Sequence, residues 1–189
     1  MARRTHPPIK TRGDKVLGNI HDAEVYSIGA INEEHMMIHK GLSYHYSNYY
    51  ADIDSPSGVK YALFATGSTY RAHFTVRGLL VGQAGRYTIY ETGAGLPFTA
   101  NTGTQVTPLN RKRNSSNGAE ALLWENPTVF RSGTKLLDDY IAAGNKLSDV
   151  VDHQDEWYCA PNKYYLISII PAADNANGTI HLNWYEEQE

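Results

Sequence analysis

Apolar and polar positions alternate along most of this chain, with the period of two that marks strands. Tyr61–Thr66 is a short apolar run closed by Gly67. In the run from Ala72 to Gly82, Phe74, Val76 and Leu80 share one parity, which predicts a strand, and Gly78 predicts a bulge within it. Arg86–Thr92 sets Tyr87 and Ile89 against Thr88 and Tyr90, so Gly82–Gly85 reads as a hairpin turn between two strands. The C-terminal third repeats the pattern. Lys163–Pro171 is apolar on both parities. Thr179–Tyr185 alternates, with Ile180, Leu182 and Trp184 facing one way and Thr179, His181, Asn183 and Tyr185 the other. Asn177-Gly178 between these runs predicts a tight turn and a closing antiparallel hairpin.

Helical spacing is scarce. Ile31–Leu42 predicts a short helix or irregular turn, capped by Asn32, favoured by Glu33 and Glu34 at its positive end and stopped by Gly41. Lys135–Leu147 reads as one or two helical turns ended by Gly144. Gly93–Gln105 is a turn-rich loop, and Glu120–Trp124 and Pro127–Phe130 are short strands. A parallel α/β fold needs long helices between strands, and none is found. The prediction is an all-β chain: an antiparallel β-sandwich or jelly roll with short helical turns, over residues 31–189, preceded by an extended N-terminal arm over residues 1–30.

Composition changes this picture in one respect. The 189 residues carry 17 Lys+Arg against 20 Asp+Glu, a net charge of −3. Residues 1–15 hold Arg3, Arg4, Lys10, Arg12 and Lys15 against Asp14, which is +4, so the remainder sums to −3 − 4 = −7. A basic segment this poor in apolar residues does not offset its own ordering entropy, and needs a surface to lie on. There is no global basic field, so direct nucleic-acid binding is not expected. No apolar run approaches a membrane span, and MARRTHPPIK lacks the apolar stretch of a secretory signal. Cys159 is the single cysteine, which rules out an internal disulfide and fits a reducing compartment.

Candidate chemistry is thin. His35 and His39 stand at i and i+4, but Met36 occupies the place where HExxH needs its Glu, and no third ligand follows. Cys159 sits beside Asp155 and Glu156, which disfavour a thiolate. Asp149, Asp152, Asp155 and Glu156, with His153, form an acidic loop without EF-hand spacing. No GxSxG, Walker or GxGxxG motif occurs. The chain is expected not to be an enzyme, with no metal and no cofactor. Arg111, Lys112 and Arg113 are the basic run outside the arm; they are either an exposed loop or a contact with an acidic partner. Tyr44 and Tyr46 share a strand face near Tyr49 and Tyr50, and are either core or interface; Trp184-Tyr185 raises the same question. Glu186, Glu187 and Glu189 are candidates to pair with a neighbour's basic arm.

Three ordered segments carry a resemblance: Ile31–His35 through His39–Gly41, Asn110–Ser116, and Glu156-Trp157 with Lys163–Leu166 and His181–Glu186. Together they resemble a group of tailed-bacteriophage virion proteins described as minor structural, capsid decoration or head-fibre-like, over residues 31–186; Lys112 and Asn114 depart from the group's tighter central motif. The resemblance implies a non-catalytic β-sandwich subunit on the outside of a particle, assembled in the host cytoplasm. Its partner would be the major capsid protein, and it would itself be a homo-oligomer, a dimer or trimer. On that expectation the capsid contacts are Arg3, Arg4, Lys10, Arg12 and Lys15 of the arm, with Arg111, Lys112 and Arg113; the oligomer or aromatic surface is Tyr44, Tyr46, Trp184 and Tyr185. A carbohydrate-binding jelly roll and a neck or tail subunit are the alternatives.

Overall fold

The computed structural model describes residues 33–55, 57–81, 83–93, 103–128, 133–141, 150–152 and 156–187. The arm over 1–30, with Asn32, lies outside the described residues. The elements run α1 (Glu33–Lys40), β1 (Ser43–Ile53), β2 (Lys60–Ala65), β3 (Arg71–Val81), β4 (Gly85–Gly93), β5 (Thr104–Val106), β6 (Leu109–Asn110), β7 (Leu122–Glu125), β8 (Thr134–Ile141), β9 (Val150–Asp152), β10 (Trp157–Cys159), β11 (Lys163–Pro171) and β12 (Ala176–Glu187).

They form two antiparallel sheets. The first is ordered β10-β3-β12-β1-β6, with β9 also on the far edge of β3; the second is β5-β7-β2-β11-β4-β8. The pairing is nested: β1 with β12, β2 with β11, β3 with β9 and β10, β4 with β8. That is the topology of one long hairpin rolled over on itself, a jelly roll. β5, β6 and β7 lie in sequence between β4 and β8 and widen both sheets at one edge.

Nested pairing overturns both predicted hairpins. β11 and β12 lie in different sheets, as do β3 and β4. Asn177 and Gly178 are not a turn but ladder residues, paired with Val81 and Leu80. The chain instead turns just before β12, where Asn175 takes a positive φ of 60°. Each run is apolar enough to sit at the middle of a sheet, and placing them in opposite layers lets their inner faces meet. The expected bulge at Gly78 is also absent, because β3 and β12 pair without interruption from Asn177↔Val81 to Glu187↔Arg71. Of the run Lys135–Leu147, expected to form helical turns, residues 135–141 belong to strand β8, held to β4 through Leu137↔Ile89, and 142–147 lie outside the described residues; tertiary pairing overrides local helical propensity there.

The inner faces alternate as the sequence pattern predicts. Phe64 and Tyr165 from the second sheet meet Phe74 and Trp184 from the first, with Phe64–Trp184 centroids 5.1 Å apart and Phe74–Tyr165 5.3 Å apart. Each fully buried aromatic of this kind contributes about 1.5–3 kcal/mol. The outer face of the second sheet carries a smaller cluster of Leu63, Ala65, Trp124 and Leu166. Gly85 enters β4 where a Cβ would sit 2.4 Å from the Ile170 carbonyl oxygen, so only glycine fits that close approach.

Candidate functional surface

Three of the segments that carry the resemblance approach one another at one end of the sandwich, where Asn110 reaches Gly41 and Glu186 N donates to Leu42 O. Met37 anchors α1 in the core, and Gly41 ends the helix at φ +75°. Gly41 N donates to Ile38 O at 3.0 Å and Leu42 N to Met37 O at 2.9 Å, the paired bonds of a Schellman cap. The turn after β6 then closes over that cap. Asn110 Nδ2 donates to Gly41 O at 2.9 Å, Asn117 Nδ2 donates to the same oxygen at 3.3 Å, and the Arg111 guanidinium pairs with Glu34.

Two carboxylates fasten the next stretch. Glu186 is buried on the inward parity of β12, where it accepts from Glu120 N and Ala121 N at 2.9 Å each and from Trp184 Nε1 at 3.2 Å. Burial pushes its pKa above the ordinary carboxylate value, against those three donors. Glu120 accepts from the backbone N–H groups of Ser68, Thr69 and Tyr70 at 2.7–3.1 Å. Burial opposes its ionisation too, but the hydrogen bonds outweigh it and hold the pKa below the ordinary value. These carboxylates satisfy backbone donors and present no general acid–base pair.

The outer face of the first sheet holds a second cluster. His73 directs Nδ1 at Glu156 Oε1 (2.7 Å) and Nε2 at Glu187 Oε1 (3.2 Å). Its ring stacks on Tyr185, centroids 4.5 Å apart, and meets Tyr158 edge-on at 4.7 Å. The Tyr185 hydroxyl donates to Glu156, and burial, then that carboxylate, raises the Tyr185 pKa. Arg71 lies over the Tyr158 ring and donates to its hydroxyl. Beside this cluster run Thr75, Asn183 and His45, cross-strand neighbours joined by a 2.8 Å contact between His45 Nδ1 and Asn183 Oδ1. Two open clefts of about 420 and 370 Å³ flank Leu42 and Tyr70 at the α1 end.

The structure separates the sequence-predicted residues. Tyr44, Tyr46 and Trp184 are 1%, 4% and 2% exposed and belong to the core, which corrects their expected place on an aromatic surface. Their parity faces the opposite sheet, and the tyrosine hydroxyls reach the polar ends of the core, Tyr44 to Gly118 O and Tyr46 to Glu125. Tyr185 faces outward but is covered by its own chain, at 4% exposure. Arg111 is engaged with Glu34, leaving Lys112 and Arg113 on the turn. Glu186 is buried and accepts from Ala121 N, and Glu187 Oε1 lies 3.2 Å from His73 Nε2. Arg3, Arg4, Lys10, Arg12 and Lys15, with Asp149, His153, Asp155 and Glu189, lie outside the described residues. The latching role of Glu186 was missed, although it continues the inward series Ile180, Leu182, Trp184 and a carboxylate on that parity must be satisfied inside. Nothing local marks Glu120 or His73, whose partners are distant in sequence.

Among the described residues no helix is long and apolar enough to cross a membrane, and no group of three or more His, Cys, Asp or Glu side chains is placed to hold a metal. The class defined is an all-β jelly-roll sandwich. No family model matches the chain, and neither does any curated protein or solved structure.

Proposed function

We propose that the chain is a non-enzymatic structural subunit of a bacteriophage virion, a capsid decoration or cement protein that binds the major capsid shell through its basic N-terminal arm. The observation that carries this reading is the convergence of three segments of the resemblance at one end of the sandwich, where Asn110 Nδ2 donates to Gly41 O and Glu186 N donates to Leu42 O, both at 2.9 Å. The segments of the resemblance hold one another there: they cap a helix and fasten a loop. A fold alone does not assign a function. The charge split adds direction, since a +4 arm on a −7 body suits a groove of acidic residues on a shell.

The test is sedimentation with purified particles that lack the subunit. The full chain is expected to co-sediment in hundreds of copies per particle, and the chain without residues 1–15 to remain in the supernatant while keeping its melting temperature. Normal decoration by the truncated chain would remove the arm from the mechanism, and failure of the full chain to bind would overturn the reading. Six or twelve copies would place the subunit in a neck or tail. A second reading, a carbohydrate-binding module, draws on half-exposed Tyr158 beside the row Thr75, Asn183 and His45; a glycan array without hits would remove it.

A further inference from the structure

We propose that the outward face of α1 is a binding site for a divalent transition-metal ion, held between His35 and His39. Both side chains are exposed, and their Nε2 atoms converge to 3.0 Å. The ring centroids are 4.6 Å apart with planes inclined at 70°. Imidazole nitrogens bind such ions at about 2.0–2.1 Å. A separation of 3.0 Å then subtends about 94° at the metal, since half of it over 2.05 Å is the sine of about 47°. That spacing suits two neighbouring ligands of one ion, and copper(II) binds tightest in the general affinity order.

The pair is also held in place. α1 is anchored by buried Met37, closed by its Gly41 cap, and tied to the turn after β6 by Arg111–Glu34 and Asn117. The two rings therefore stand one helical turn apart on a fixed backbone, and little ordering remains to be done on binding. Without metal, the same contact is one imidazole N–H donating to the other ring. With metal, both Nε2 lone pairs would face the ion and the ring protons would sit on Nδ1. Water, or a donor from another molecule, completes the coordination.

Calorimetric titration of the untagged full-length chain with copper(II), nickel(II) and zinc(II) chlorides tests this. One equivalent of copper(II) and of nickel(II) is expected to bind, with zinc(II) weaker. His35→Gln or His39→Gln should weaken nickel(II) binding at least tenfold, the double variant should abolish it, and His45→Gln should leave it unchanged. A further variant, His39→Gln with Lys40→His, keeps two helix histidines but moves the second off the shared face, and should also lose the site. An unchanged urea midpoint confirms that each variant keeps the fold. Absence of binding in the parent chain, or binding that survives in the double or the displaced variant, overturns the proposal.

Discussion

The Glu186 carboxylate accepts the backbone N–H of Glu120 at 2.9 Å, and the side chain of Glu120 in turn accepts the N–H groups of Ser68, Thr69 and Tyr70. The two acids stand in series and join β12, the segment leading into β7 and the turn before β3. Their environments push them in opposite directions. Burial raises Glu186, while hydrogen bonding holds Glu120 low.

The signs predict a pH signature. Glu120, with its pKa lower in the folded state, contributes stability that is present above the unfolded value and lost as pH falls through the folded one. Glu186, with its pKa raised, contributes stability present below the unfolded value and lost as pH rises through the folded one. Urea midpoints measured from pH 3 to pH 8 should therefore show Glu186→Gln gaining on the parent chain as pH rises above the ordinary carboxylate range of about 4. A difference between the two chains that does not vary with pH would mean that Glu186 ionises in the fold as it does in the open chain.

Gly41 tests the cap. Alanine there must adopt φ +75°, and its Cβ would lie 2.4 Å from Ser115 Oγ. The left-handed backbone alone costs about 1–2 kcal/mol, and the Ser115 contact adds to it. Gly118 is the control, because a Cβ there meets nothing within 4 Å. Gly41→Ala should lower the urea midpoint clearly, and Gly118→Ala should leave it within about 0.5 kcal/mol of the parent.

Trp184 tests which aromatics are core. Its ring packs on Phe64 and Tyr44 from opposite sheets, and its Nε1 donates to Glu186. Trp184→Ala should cost about 3–5 kcal/mol. Tyr158→Ala, at a ring 53% exposed and partnered by Arg71, should cost less than about 1 kcal/mol. Equal, small effects from both would contradict the assigned parity of β12.

These contrasts show what the chain makes legible. Period-two alternation depends on residues two apart, so the strand carrying Ile180, Leu182 and Trp184 and its inward face are readable directly. Pairing is not local. The Asn177-Gly178 dipeptide has the chemistry of a hairpin turn, yet its partners are Val81 and Leu80, about a hundred residues earlier. Jelly-roll nesting joins first to last, and no short-range signal specifies it. The surface failed for the same reason. His73 gains meaning only from Glu156 and Glu187, which the roll brings to it, and Tyr44 reads equally well as core or interface until the opposite sheet is in place.

Cys159 reports on the stability of the whole roll. Its thiol is 1% exposed on β10, and burial, with the Glu91 charge opposing thiolate formation, pushes its pKa far above the free value. The thiolate is the nucleophile, so the closed protein should not react with a thiol reagent such as DTNB at pH 8. Labelling must wait for an opening. When reclosing outpaces the reagent, the rate follows the population of the open form. If global unfolding is that opening, each loss of about 1.4 kcal/mol in stability should raise the rate tenfold, and Trp184→Ala should accelerate labelling in proportion to its urea midpoint. β10 is only three residues long and pairs with β3 through Trp157↔Phe74, Tyr158↔His73 and Cys159↔Ala72, so a local opening is the competing route. A labelling rate insensitive to Trp184→Ala but raised by His73→Ala, which removes the ring packed against Tyr158, would identify that local route and show that this edge of the first sheet opens independently of its centre.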